Sequence, residues 1–336
     1  MAELSDKFIV KYRQQLYDLS QFMHKHPGGI NTLKGLSQAD ITARFQKAPP
    51  HSDAAMYLMR EYKVNDGASR RLETAKLKAI ELPEQSNSSE EDNNNNHLDE
   101  SMEHLVDWSK AMLPQIGKIT KHYDEWVHKP VDRPLRLFGP WYLEMCTKTP
   151  WYIVPMFWLP VISMIIWKEI QNNNPSTFIG FFILGILFWT LLEYTLHRFV
   201  FHYKLNSDSH AWICTLHFMI HGLHHKVPFD PLRLVFPPVP GVILSLLIYT
   251  PISFFVYHPR IILSGGLFGY LCYDMIHYYL HYGNPRNYHM YHMKRYHYQH
   301  HFAHQDLGYG ISTPLWDFIF KTPIHLRKLK YQLRWS

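Results

Sequence analysis

The chain has 336 residues, room for more than one domain, and its 46% hydrophobic share is ordinary for a soluble protein. The distribution is not: the first 150 residues are polar and mixed, and most long apolar runs lie between 151 and 282, the pattern of a membrane protein. The formal net charge of +6 is modest; the basic C-terminal residues Lys321, Arg327, Lys328, Lys330 and Arg334 suit anionic lipid headgroups, and no nucleic-acid partner is expected. Three cysteines (Cys146, Cys214, Cys272) without CxxC spacing argue against a disulfide framework and a thiolate metal site. The opening MAELSDKFIVKY has no apolar h-region, so no cleaved signal peptide is expected and the N-terminus is expected in the cytosol.

Residues 8–66 read as a compact α+β unit. Phe8–Val10 leads into LYDLSQFMHKHPGGINTLKGL, and APPHSDAAMYLMREYKV closes the segment with a helical pattern. His26 precedes Pro27-Gly28-Gly29, where Pro fixes φ and Gly allows close backbone approach. His51 follows Pro49-Pro50. Met23, Leu33, Leu36, Phe45, Met56 and Leu58 are candidates for a pocket wall, or equally for plain core.

From 67 to 100 the apolar pattern disappears, and EQSNSSEEDNNNNHLDE (84–100) is polar low-complexity sequence that reads as a tether. Its Asn-Ser-Ser sequon at Asn87 matters only in a lumenal location. Tryptophans and prolines return in 101–148, which reads as an interfacial lead-in with Trp108, Trp126 and Trp141 as headgroup anchors. Apolar runs at 151–167, 177–201, 239–257 and 261–280 predict four transmembrane helices in two hairpins, the first short and proline-interrupted, with an interfacial or re-entrant helix as its alternative. The large polar segments then share one side, and their Lys and Arg place it in the cytosol. The expected units are 1–70, a tether and lead-in at 71–148, and an all-α membrane domain with a cytosolic histidine-rich cap at 149–336.

Four histidine clusters sit at that cytosolic side: His197/His202, His221/His224/His225, His277/His281 and His297/His300/His301. Imidazole is the commonest nitrogen ligand for transition metals. One cluster alone is often aromatic padding; four, with HxxHH twice, point to metal. On a straight helix His277 and His281 lie about 40° apart, whereas His197 and His202 diverge by roughly 140°. Ten imidazoles exceed the needs of one ion, and the splayed pair suits two. Glu193 and Asp274, costly as intramembrane acids, are expected to accept histidine N–H groups or to be solvated at helix ends.

The His26-Pro27-Gly28-Gly29 motif with His51 downstream resembles cytochrome b5, a family whose two matching histidines bind haem iron from opposite faces. That resemblance implies haem b at His26 and His51, carrying electrons without activating oxygen. The histidine clusters, with LEYTLHRFVFH (192–202), VPFDPLRLVFPPVP (227–240), GYLCYDMIHYYLHYG (269–283) and HHFAHQDLGYGISTPLWD (300–317), resemble the integral-membrane fatty acid hydroxylase/sterol desaturase superfamily. The fused haem-binding segment makes the chain more similar to the fatty acid 2-hydroxylases within it. This resemblance implies two metal ions on the ten clustered histidines, iron for the chemistry with zinc possible in isolated protein. It also implies O2 as cosubstrate, a long-chain fatty acid or acyl group as substrate, and an (R)-2-hydroxy product destined for sphingolipids. An NADH-cytochrome b5 reductase and endoplasmic reticulum residence, multi-pass with both termini cytosolic, complete the expectation. A desaturase of the same superfamily, a histidine-lined metal transporter and a haem-only membrane anchor are the rival readings. The nearly clean apolar cores of the spans argue against the transporter.

Overall fold

The computed structural model describes residues 7–47, 51–64 and 102–326. The expected tether, the Asn87 sequon and all of the basic tail except Lys321 lie outside the described residues.

The N-terminal unit is built on an antiparallel hairpin, Ile9–Tyr12 with Gln15–Asp18, in the register Ile9↔Asp18 to Tyr12↔Gln15. Arg13 and Gln14 both take positive φ at its tip (45° and 66°), the geometry whose twist matches that of paired strands. Phe8, Val10, Tyr12, Leu19, Leu33, Ile41 and Met59 form its core, with Met23, Leu36, Phe45 and Met56 packed against them. Ser52 caps the Asp53–Met59 helix by accepting from the Ala55 amide. Leu58 departs from the expected pocket wall: it packs outward on Phe229, Tyr298 and Phe302 of the second unit.

The lead-in is corrected by the structure. Val106, Met112, Ile116, Ile119, Tyr123, Trp126, Val127, Val131, Leu135 and Leu137 bury together with Cys214, Phe218, Leu223 and Val227. This segment is therefore the inner wall of the histidine-bearing unit, and Trp126 is fully buried where a headgroup anchor was expected. Only Trp141, 73% exposed, keeps the anchor's disposition. Short apolar stretches between prolines look alike in sequence whether they face lipid or protein; the partner surface decides.

Among the described residues two helices are long and apolar enough to cross a membrane, Ile153–Asn172 and Pro175–Phe201 counting its final turn. Only 17% and 6% of their apolar windows are buried, so they are not the core of a soluble domain. Asn174 caps the second, accepting from the Thr177 amide at 2.8 Å, with Pro175 opening the helix. The other two expected spans differ from the reading. Pro238–Ile252 has 15 residues, a rise of about 22 Å against a hydrocarbon thickness of about 30 Å. Pro251 lacks an N–H and crowds the preceding turn, so the helix stops one residue later. Pro259–Tyr282 is long enough at 24 residues, but its inner face is buried and carries Asp274, His277 and His281. It lies tight against Pro175–Leu196: a Cβ on Gly185 would sit 2.2 Å from the Ile262 carbonyl oxygen, and one on Gly265 would sit 2.1 Å from that of Phe182. That crossing brings the ends of the two helices, and their histidines, together.

Candidate metal centre

Four elements converge to supply the imidazoles. His277 and His281 come from the last turns of Pro259–Tyr282, and His297, His300 and His301 from Tyr288–Phe302, which Asn287 caps. His221, His224 and His225 follow a π-helical turn at Phe218–Gly222. His197 opens a second π-helical turn, His197–Phe201, and the His202 amide donates to the His197 carbonyl at 3.0 Å. The wider turn overturns the straight-helix expectation. With five residues per hydrogen-bonded loop, an i, i+5 pair shares a face, and the two rings lie 4.9 Å apart instead of splaying.

The nitrogens fall into two groups, each within 4.8 Å of one another: His224, His277, His281, His297 and His301; and His197, His202, His221 and His300. His225 stands on the seam, its ring centroid 4.3 Å from that of His301 and 4.9 Å from that of His202. Nε2–Nε2 separations are 2.9 Å for His281–His297, 3.0 Å for His277–His224 and His301–His297, 3.1 Å for His225–His221 and 3.2 Å for His197–His221. Two ligands about 2.1 Å from one ion at a right angle are about 3 Å apart, so these spacings fit a metal. Orphaned atoms support the same fit: Nε2 of His202 and His300 is buried without a hydrogen-bond partner. Burial, and then neighbouring imidazoles, hold His202, His221, His224, His225, His297, His300 and His301 well below their ordinary pKa. They are neutral ligands at neutral pH.

Backbone carbonyls orient two of the rings. The Tyr309 carbonyl receives His197 Nδ1 at 2.6 Å and the Leu307 carbonyl receives His300 Nδ1 at 2.8 Å, which turns each Nε2 inward. Glu193 and Asp274 do not accept histidine N–H groups, contrary to expectation. Glu193 accepts from the Ile311 and Ser312 amides and the Ser312 hydroxyl (2.8, 2.9 and 2.6 Å), fixing the loop whose Tyr309 carbonyl holds His197. Asp274 receives the Phe236 amide at 3.1 and 3.2 Å and the Tyr270 hydroxyl at 3.4 Å. Each carboxylate secures a loop and acts on the cluster from there.

Sequence reasoning missed Lys226, the neighbour of His225. Its ammonium is fully buried, donates to Glu103 at 2.7 Å and to the Trp126 and Lys129 carbonyls at 3.0 and 2.6 Å, and lies 4.4 Å from the Trp126 ring centroid. Burial pushes its pKa down to about 8, against the pull of Glu103. A lysine following two histidines carries no signal in sequence, because its carboxylate lies far upstream.

In the N-terminal unit the His26 and His51 rings lie 6.3 Å apart, the spacing of two imidazoles on opposite sides of one metal ion. His51 Nδ1 meets the Phe45 carbonyl at 3.1 Å. His26 Nδ1 lies 3.1 Å from the Thr32 hydroxyl, which itself donates to the Gly29 carbonyl. Gly29 takes φ 75°, which a side chain would disfavour. Both Nε2 atoms are thus left for a ligand, and burial and then His51 depress His26 to about 3. The residues fit a bis-histidine haem.

A cavity of about 210 Å³ leads from His221, His224 and His277 between the helices to Tyr249, Ile252 and Pro259. Apolar side chains such as Trp158, Trp189, Leu192, Leu244 and Leu263 wall it, and Glu193 and Asp274 border its histidine end.

Known proteins match this arrangement unit by unit. Residues 3–67 match the cytochrome b5-like heme/steroid binding domain, and residues 182–322 match the fatty acid hydroxylase family. A haem-binding domain joined to a histidine-rich fatty acid hydroxylase domain is the class that fold and site define. The chain is 39% identical to fatty acid 2-hydroxylase of Mus musculus, covering 94% of this chain and 91% of that one. It is 43% identical to dihydroceramide fatty acyl 2-hydroxylase FAH2 of Arabidopsis thaliana over 65% of this chain and 93% of that one. To ceramide very long chain fatty acid hydroxylase SCS7 of Saccharomyces cerevisiae it is 30% identical, over 98% and 94%. A solved structure of full-length scs7p, with only the hydroxylase domain visible, superposes with a TM-score of 0.60 at 34% identity, over 66% of this chain and 86% of that one. The chain belongs to the fatty acid 2-hydroxylase family, and it is an enzyme, an oxidoreductase of the hydroxylase type.

Proposed function

We propose that the chain hydroxylates long-chain fatty acids, free or as acyl conjugates, at C2, giving (R)-2-hydroxy products for sphingolipid synthesis. The observation that carries this reading is the apolar cavity that ends on His221, His224 and His277. The names of the relatives, fatty acid, dihydroceramide and ceramide hydroxylases, point the same way.

His197, His202, His221, His224, His225, His277, His281, His297, His300 and His301 would hold two metal ions, and His26 and His51 would hold haem b. Iron in the cluster supplies, when bound, the redox chemistry that inserts one atom of O2 into a C–H bond; zinc fits the same imidazoles but has no redox chemistry. The balance is one CH2, one O2, two electrons and two protons in, one CHOH and one water out. With haem held by His26 and His51, the electrons would come through this domain from an NADH-cytochrome b5 reductase. The chain's own residues do the positioning. Apolar walls take the tail, so the polar head and its neighbouring C2 rest at the histidine end; neutral imidazoles leave the metal charge uncompensated beside that head. Glu193 and Asp274 hold the flanking loops still.

This reading sets the protein in the endoplasmic reticulum membrane, multi-pass with four helices and both termini cytosolic. The exposed Phe254, Phe255 and Tyr257 lie in the turn that follows the short third helix and add apolar surface beyond its end. The test is incubation of membranes carrying the protein with saturated fatty acid, 18O2, NADH and reductase. Label at C2 is the expected outcome. An unlabelled alkene would instead assign a desaturase, and absence of any O2-dependent product would sink the enzyme reading. His26→Ala is expected to lose haem and NADH-driven turnover while retaining the clustered metal, read by absorbance and metal analysis.

A further inference from the structure

We propose that Phe229 is the joint of a built electron route from the haem domain to the five-histidine group, held in place by a clasp of ion pairs between the two units. The inference rests on the hydroxylase reading above and adds the path.

Between His26 and His301 the rings follow one another in contact. The His26 ring lies 6.0 Å from Phe22, Phe22 lies 5.9 Å from Phe229, Phe229 lies 6.3 Å from Phe302, and Phe302 lies 6.2 Å from His301. All are centroid separations in the range of packed aromatic pairs. A side branch runs from Phe229 to Tyr298 at 6.4 Å and on to His281 at 5.8 Å. The Tyr298 hydroxyl bonds the Lys25 carbonyl at 3.0 Å, next to His26, and lies 3.3 Å from the His281 carbonyl. Both ring-to-ring branches pass through Phe229, which is 4% exposed, while the Tyr298 hydrogen bonds form a parallel link from Lys25 to His281.

The clasp surrounds this bridge. Arg133 donates twice to Glu61, at 2.6 and 2.7 Å, in the two-pronged geometry that fixes orientation. Asp132 accepts from Lys25 at 2.5 Å and from the Tyr62 hydroxyl at 2.6 Å. The Lys25 ammonium also stands 5.3 Å from the Phe229 ring centroid, so clasp and bridge share a residue. Asp132 and Arg133 follow Val131, whose amide donates to the Lys226 carbonyl at 2.8 Å, and the His128 ring lies 5.4 Å from that of His225, so the docking surface adjoins the metal cluster. With haem at His26 and His51 and metal at the clustered histidines, each passage would oxidise the ferrous haem by one electron and reduce the metal centre by one. Two passages serve each O2, and the reductase restores the haem.

The test uses the full chain with haem and iron. Carbodiimide treatment, which joins only a contacting amine and carboxylate, is expected to link Lys25 to Asp132, read by peptide mass spectrometry. After enzymatic reduction, the ferric haem absorbance is followed as it returns on mixing with O2 and fatty acid. Phe229→Leu should keep the cross-link yield and the haem spectrum but slow the return several-fold, and Phe229→Trp should restore it. Arg133→Glu should lose both cross-link and rate, and Arg133→Glu with Glu61→Arg should recover both. An unchanged rate in Phe229→Leu with the cross-link intact overturns the route, and a wild-type chain without the cross-link overturns the clasp. A chain that makes no C2-labelled product fails the hydroxylase reading itself; one that makes product at a rate indifferent to Phe229 fails only this inference.

Discussion

Lys226 shows how much one residue behind the histidines can carry. Its charge is removed from water and satisfied by Glu103 and two carbonyls, an arrangement whose rupture takes the Lys226 cation from a buried carboxylate that the Tyr57 hydroxyl also contacts at 2.6 Å. Lys226→Met is expected to destabilise the second unit by about 3–5 kcal/mol. Lys226→Met with Glu103→Leu should recover much of that loss; thermal unfolding of the two variants makes the comparison. At the cluster itself, His202→Ala and His277→Ala remove one nitrogen from each group. Each is expected to lower bound metal by about one ion per chain, measured by elemental analysis, with the remaining ion retained. If either variant emptied both positions, the two groups would be a single site. The histidines were legible one by one, because their residue type and clustering are visible in sequence. Lys226 was not, because its meaning is a contact across more than a hundred residues.

At the scale of elements, two π-helical turns decide where the imidazoles go. The His197–Phe201 turn brings His197 and His202 together, although regular helical spacing sets them apart. Sequence periodicity assumes a constant turn angle, so it fails where the turn widens. Glu193 acts at this scale too, through the 309–312 loop. Glu193→Ala should free that loop and loosen His197, weakening metal affinity by about 10–100-fold in a chelator competition. The helix crossing at Gly185 and Gly265 tolerates no side chain. Gly185→Ala is expected to cost about 1–3 kcal/mol by forcing the two helices apart, with lower yield of folded protein in detergent. Glycines in an apolar run are visible in sequence; which helix they admit is not.

For the whole molecule, pH acts through the buried histidines outside the spans. Their pKa values are depressed in the folded chain, so below about pH 6.5 the unfolded chain takes up protons that the folded one refuses. Metal-free protein is therefore expected to lose stability as pH falls below about 6.5, and to regain nothing from further rise above it. A denaturant series at several pH values checks this, and a midpoint flat between pH 7 and 5 would contradict it. The sequence by itself determined the four histidine clusters, the His26-Pro27-Gly28-Gly29 turn and the long apolar runs, because residue type and local periodicity carry that information. Only the tertiary structure decided that residues 102–137 are wall instead of lead-in, that the histidine nitrogens form two groups meeting at His225, and that the haem domain docks through Asp132 and Arg133. Those outcomes depend on which distant surfaces meet, and burial, ion pairing and ring contact have no local signature along the chain.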